Sequence, residues 1–225
     1  MHQGPVRLRV RAEPRAGPAR GRALTPENAH SVTGIVLAGG RASRFGRDKL
    51  REPYRGVPLL HHAVLRISEV CPMVVVVAGP EGPDPDLPAG PTLRLAHDPV
   101  EGRGPLAGLA AGLAEVRTEL ALVAGGDMPD MSPSVLLAMV AEAWRSGADA
   151  VALEQGGTLQ PLPVVLRAEP ASRTAQVLLA EEGERSLMGL LAALRVRRVG
   201  ESAWRALDPQ GTTARDIDRP EDLGG

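Results

Sequence analysis

The sequence predicts an α/β fold, a Rossmann-like three-layer sandwich built on a mostly parallel sheet. Two observations carry the prediction. Short apolar runs recur along the chain, and segments with apolar residues three and four positions apart separate them. The only large aromatics are Phe45, Tyr54, Trp144 and Trp204, so the core of this 225-residue chain must come from Leu, Val, Ala and Ile. With 43% hydrophobic residues the chain suits one large domain better than two small ones.

Taken in order, SVTGIVLAGG (31–40) reads as a buried strand ending in a glycine turn. PLLHHAVLRISEV (58–70) has helical spacing through Leu59, Leu60, Ala63, Val64 and Ile67. MVVVVA (73–78) is a wholly apolar strand bounded by Pro72 and Gly79, and TLRLAH (92–97) is a third strand. PLAGLAAGLAEV (105–116) follows as a small-residue helix. ELALVAGGD (119–127) reads as the fourth strand and SPSVLLAMVAEAWRSG (132–147) as a helix, with Ser132 and Pro133 suited to its cap and first turn. ADAVALE (148–154) is a fifth strand. Apolar strands alternating with helices imply a sheet covered on both faces.

Residues 1–30 stand apart as an Arg- and Pro-rich extension with no sustained period, and the expectation there is disorder. A basic arm touching an acidic partner is the alternative. Six Arg and two Glu give this stretch +4, so with a total of −1 the domain at 31–225 carries −5. That balance and the scarcity of aromatics argue against nucleic acid as a partner. One cysteine, Cys71, excludes an internal disulfide framework and a Cys-rich metal site. No apolar run reaches the ~18 residues of a membrane span, and no signal-peptide pattern opens the chain; the expected location is cytoplasmic.

In sheets of this kind ligands bind at the carboxyl ends of the strands. After the first strand come Ala38, Gly39 and Gly40, small residues that let backbone N–H groups approach an anion. Arg41, Arg44, Arg47 and Lys49 crowd the next nine positions, and phosphate is the guest such a loop suits. A glycine turn with solvated surface charge is the plainer reading. Neither the dinucleotide-binding spacing nor that of a P-loop is present. Lys49 is the only lysine among 26 basic residues. A compact ammonium on a slim stem enters a phosphate pocket too narrow for a guanidinium fork, which gives a reason to keep it; chance is the competing account.

LAGGRASRFGRDK (37–49) resembles the signature of nucleotidyltransferases of the molybdenum cofactor guanylyltransferase type, departing by one place at Ala42 and Ser43. DPVEGRGPLAGLAAGL (98–113), VAGGDMPDMSP (123–133), QPLPVVLR (160–167), GERSLMGLLAAL (183–194) and DIDRPEDL (216–223) resemble the later segments of that family in their usual order. The likeness spans about residues 32–223. It implies a fold of the nucleotide-diphospho-sugar transferase type, with Leu37, Ala38, Gly39, Gly40, Lys49, Asp98 and Asp127 at a nucleotide. It also implies Asp127 on Mg²⁺, and Arg44, Lys49 and Asp127 as the catalytic set.

Residue chemistry is compatible with these roles. Asp127 follows an apolar strand, and a carboxylate at that edge suits Mg²⁺, which takes one or two carboxylates plus substrate phosphates. An Asx turn or a helix cap is the alternative. Asp216 and Asp218 stand where relatives often have Asn; Asp218 is a second contact to the metal or a cap for the turn begun by Pro220. A carboxylate such as Asp98 can accept both adjacent donors of guanine, N1–H and the 2-amino group, although a loop cap would look the same. Guanylyltransferases of the family typically read L-A-G-G and the related cytidylyltransferases L-A-A-G, so Gly39 favours GTP.

The activity the resemblance implies is GMP transfer from GTP to molybdopterin, forming the guanine dinucleotide cofactor and pyrophosphate. Transient contact with cofactor insertion proteins or molybdoenzymes would follow. Open alternatives are CTP as donor, another phosphorylated small molecule as acceptor, or a non-catalytic module that binds nucleotide and delivers cofactor. The family segments place the pterin side around Gln160, Pro161, Arg185 and Ser186, without roles.

Overall fold

The computed structural model describes residues 32–39, 48–79, 83–98, 104–181 and 185–224. The N-terminal extension, with its expected disorder, lies outside those residues, as do Gly40, Arg41, Arg44 and Arg47. Along the chain run β1 (Val32–Ala38), a small hairpin of β2 (Pro53–Tyr54) and β3 (Val57–Pro58), and α1 (Leu59–Ser68). They are followed by β4 (Val74–Ala78), β5 (Leu93–His97), α2 (Pro105–Glu115), β6 (Leu120–Gly125) and α3 (Pro133–Ser146). The remainder comprises β7 (Ala150–Gln155), β8 (Thr158–Arg167), α4 (Ala168–Ala180), α5 (Leu187–Ala192), β9 (Val196–Val199) and α6 (Glu201–Arg205). Among the described residues no helix is long and apolar enough to cross a membrane.

Seven strands form one sheet in the order β5-β4-β1-β6-β8-β7-β9. All run parallel except β8, which is antiparallel to both β6 and β7. The reversal has a local cause. Gly156 and Gly157, with φ of 57° and 76°, join β7 to β8 as a two-residue turn between the paired Gln155 and Thr158, and positive φ at both central positions is the type I′ geometry that glycine supplies without steric cost.

Alternation along the strands divides the core between the two faces. Val32, Val36, Val74 and Val76 pack with Leu60 and Val64 of α1, Met139 and Val140 of α3, and Trp204. Ile35, Val75, Val77, Ala121 and Val123 face Leu106, Leu109 and Leu113 of α2 together with α4 and α5. Each of the Val, Leu and Ile side chains among them, fully buried, contributes about 1.5–3 kcal/mol. Gly112 lets α2 lie close to the sheet, since a Cβ there would sit 2.8 Å from Ile35 Cγ2 and 2.9 Å from Val77 Cγ2. Gly147 ends α3 in the left-handed conformation, with φ of 64°. Ser132 does occupy the cap position of α3, but its side chain makes no capping hydrogen bond; its amide donates instead to Thr213 Oγ1 at 3.0 Å.

Candidate functional site

β1, β4, β5 and β6 deliver their loops to one carboxyl edge, and two groups of residues gather there. The first surrounds Asp98. Its amide donates to Ala78 O at 3.0 Å, holding the residue against the end of β4. Leu37, Gly39, Val77, Asp98, Gly104 and Gly108 line a small recess. A Cβ on Gly108 would lie 3.8 Å from Asp98 Oδ2, so its absence leaves open space beside the carboxylate. Gly39 is constrained by the backbone as well, because a Cβ there would meet Gly79 N at 3.1 Å.

The second group centres on Lys49. It sits in a single 3₁₀ turn, Lys49–Arg51, whose cap Asp48 accepts from the Leu50 amide at 3.1 Å. Lys49 Nζ lies 2.8 Å from Asp127 Oδ2 and 3.3 Å from Asp218 Oδ1, and it donates to Ile217 O at 3.0 Å. Burial by itself would lower the Lys49 pKa; hydrogen bonds and charge from Asp127, then Asp218, outweigh it and hold the ammonium above its ordinary value.

Asp216 completes the group. Oxygens of Asp127, Asp216 and Asp218 all lie within 4.8 Å of one another. The Asp216 side chain keeps contact with water, yet the surrounding protein desolvates its carboxyl and raises its pKa, with the charges of Asp218 and Asp127 adding to the effect. Among the described residues, three carboxylates face one ammonium, an excess of negative charge. Their hard oxygen donors fit a small divalent cation such as Mg²⁺.

Leu37 couples the two groups, since its carbonyl accepts from Gly126 N at 3.0 Å immediately before Asp127. The C-terminal segment is docked by Ile217, whose amide donates to Asp127 O at 2.9 Å and whose side chain is buried with Tyr54 and Leu59. Just upstream, the buried carboxylate of Asp208 accepts from the amides of Gly211 (3.1 Å) and Thr213 (2.7 Å) and from the Thr213 hydroxyl (2.7 Å).

Of the residues expected from the sequence, Lys49, Asp127 and Asp218 meet directly, while Leu37, Gly39 and Asp98 line the neighbouring recess; Ala38 ends β1 beside them. Gly40 and Arg44 lie outside the described residues. Asp127 caps no described helix, since the cap position of α3 falls to Ser132. Sequence reasoning missed the Ile217 carbonyl, a backbone group that no side-chain pattern announces. His62 bonds Tyr54 O through Nε2 at 2.6 Å, and Cys71 is buried with its thiol pushed up to about 12, so neither belongs to the site.

Residues 34–199 match the MobA-like NTP transferase domain. A probable molybdenum cofactor guanylyltransferase of Chloroflexus aggregans is 35% identical over 198 residues, covering 85% of this chain and 91% of the relative. Another of Mycobacterium tuberculosis is 35% identical over 173 residues, 75% of this chain and 83% of the relative. Two solved structures share the fold. The molybdopterin-guanine dinucleotide biosynthesis protein A of Archaeoglobus fulgidus superposes with a TM-score of 0.68 at 22% identity, covering 85% of this chain and 95% of that one. The 2-C-methyl-D-erythritol 4-phosphate cytidylyltransferase of Thermus thermophilus does so at 0.62 and 19%, covering 86% and 96%. With the family domain matched over most of the sheet, the chain belongs to the MobA-like NTP transferases, a family of nucleotidyltransferases.

Proposed function

We propose that this protein transfers GMP from GTP to the terminal phosphate of molybdopterin, releasing pyrophosphate and forming the guanine dinucleotide cofactor. The observation that carries the reading is the convergence of Lys49, Asp127, Asp216 and Asp218 beside the Asp98 recess at one sheet edge. The names of the relatives supply the acceptor and the base.

In this reading a phosphate oxygen of molybdopterin forms a bond to the α-phosphorus of GTP. The bond from that phosphorus to the α,β-bridging oxygen breaks, and its electron pair leaves with pyrophosphate. No protein nucleophile is needed. Asp98 accepts hydrogen bonds from guanine N1–H and the 2-amino group, and the Gly39 backbone is assigned to the phosphates, a role that the family resemblance extends to Gly40. Lys49 sets a compact positive charge against the triphosphate, with Arg44 adding a second. Asp127 and Asp218, joined by Asp216, would hold Mg²⁺, which supplies neutralisation of phosphate charge when bound. The protein's part is positioning and electrostatic stabilisation.

Pyrophosphate release tests the proposal with molybdopterin and either GTP or CTP, alongside mass analysis of the product. GTP-dependent release with a guanine dinucleotide product is expected. No release, or a preference for CTP, would overturn it.

A further inference from the structure

Asp130 lies three residues beyond Asp127 and belongs to none of the groups described above. Its side chain is 11% exposed, and three donors from two distant parts of the chain converge on it. Tyr54 Oη donates to Oδ2 at 2.7 Å, Arg55 Nη1 to Oδ1 at 2.9 Å, and Arg215 Nη2 to Oδ2 at 2.9 Å. Its own carbonyl accepts from the Thr212 hydroxyl at 2.8 Å.

These partners fall on the three segments that build the reacting group. Tyr54 and Arg55 follow the Lys49 turn, Asp130 shares a loop with Asp127, and Arg215 directly precedes Asp216. The Arg55 guanidinium also stacks over the Tyr54 ring, 4.7 Å from its centroid, while Arg55 holds the positive φ of 48° that is uncommon for a non-glycine residue. The three carboxylates repel one another, and among the described residues the Lys49 ammonium is in contact with two of them. That repulsion works against the docking of the 215–218 segment, which is held at Ile217 by its amide on Asp127 O, by Lys49 on its carbonyl and by its buried side chain, and at Asp218 by the same Lys49; all of these ties converge on Lys49, Asp127 and the Ile217 pocket. A largely buried carboxylate with three donors, two of them charged, is a further tie outside that group.

We infer that Asp130 is a positioning residue whose carboxylate, through Tyr54, Arg55 and Arg215, locks the segment bearing Asp216 and Asp218 against Lys49 and Asp127. The inference rests on the reading of those four residues as the reacting centre, and it goes beyond that reading by assigning their alignment to a residue that touches neither nucleotide nor metal.

Amide hydrogen exchange on the full chain reads the lock directly. Asp130→Asn keeps the shape and removes the charge. Exchange at Ile217 and its neighbours in 215–218 should quicken by about ten- to a hundred-fold, the local opening that follows loss of a charged hydrogen bond. The amides of β6 should keep their wild-type rates. Equal acceleration in β6, or no change at 215–218, would overturn the inference. Arg215→Met tests the same tie from its half-exposed end and carries the experiment if the Asn variant does not fold. In the turnover assay the same variants should need about tenfold more magnesium for half-maximal pyrophosphate release, with KM for GTP unchanged. If the wild type released no pyrophosphate, the proposed function would fall while the exchange data still decided the role of Asp130.

Discussion

Asp127→Asn removes one charge from the Lys49 group with almost no change in shape, and its effects on stability and on turnover should separate. The substitution loses an attraction to Lys49 across 2.8 Å and relieves repulsions with Asp216 and Asp218 within 4.8 Å. Asp216 and Asp218 are exposed, so an effective dielectric constant of ~40 is appropriate, between bulk water and the ~20 of pairs near a protein surface. The attraction is then about 3 kcal/mol and each repulsion, taken at that outer distance, about 1.7 kcal/mol, so the two repulsions together nearly cancel the attraction. Lys49 can still donate to the asparagine oxygen. In metal-free buffer the variant should melt within ~2–4 °C of wild type, the shift that 1 kcal/mol produces in a domain of this size. Pyrophosphate release should fall by about a hundredfold or more, as for loss of one preorganised electrostatic contact. A melting point lowered by more than about 8 °C would mean that the Lys49 pair is chiefly structural; turnover within about tenfold of wild type would remove Asp127 from the mechanism.

Three other outcomes follow from the geometry. Asp98→Ala should raise KM for GTP by about ten- to a hundred-fold, the loss of a charged hydrogen-bonding contact; steady-state kinetics showing the same rise for CTP would refute the guanine assignment. Burial alone would raise the Asp208 pKa, but hydrogen bonds from the Thr213 hydroxyl and amide, the Gly211 amide and the Thr212 hydroxyl outweigh it, so the folded value lies below the ordinary one. Its stabilisation is therefore complete well above the unfolded pKa of ~3.9 and is lost as pH falls through the lowered folded value. Asp208→Asn should flatten the acid limb of a plot of urea midpoint against pH, and an unaltered limb would contradict the assignment. Gly112→Ala would press a methyl group against the branched side chains of Ile35 and Val77. The overpacking, about 1–3 kcal/mol, should exceed the helix-propensity gain of ~1 kcal/mol; a higher melting temperature would count against it.

The parallel half of the sheet was legible because its strands are wholly apolar and its helices strictly periodic. VVVVA at 74–78 and LALVAG at 120–125 are buried throughout, which is the pattern a strand covered on both faces must have. β8 was harder to read as a strand. Its first five residues are exposed or half-buried and include Pro161, so the apolar signal begins only at Pro163. The Gly156-Gly157 pair was a usable hairpin signal that the reading passed over. Lys49, Asp98 and Asp127 were named through the family resemblance, and each does lie at the strand or turn that positions it. Asp130 and Ile217 were not, since their contacts join residues 76, 85 and 168 positions apart, and periodicity reports only on neighbours.

The direction of β1 has a practical consequence. Val32 starts the strand at the rim opposite the carboxylates, and seven residues of extended chain separate the two edges by about 20 Å. Asp218, by contrast, lies only a few positions before the last described residue. The chain therefore enters β1 about a strand's length from the carboxylates, whereas a fluorophore coupled after Asp222 would be covalently tied to the segment that carries Asp216 and Asp218. A label on the carboxyl-terminal side is accordingly the one that loads the carboxylate-bearing segment directly.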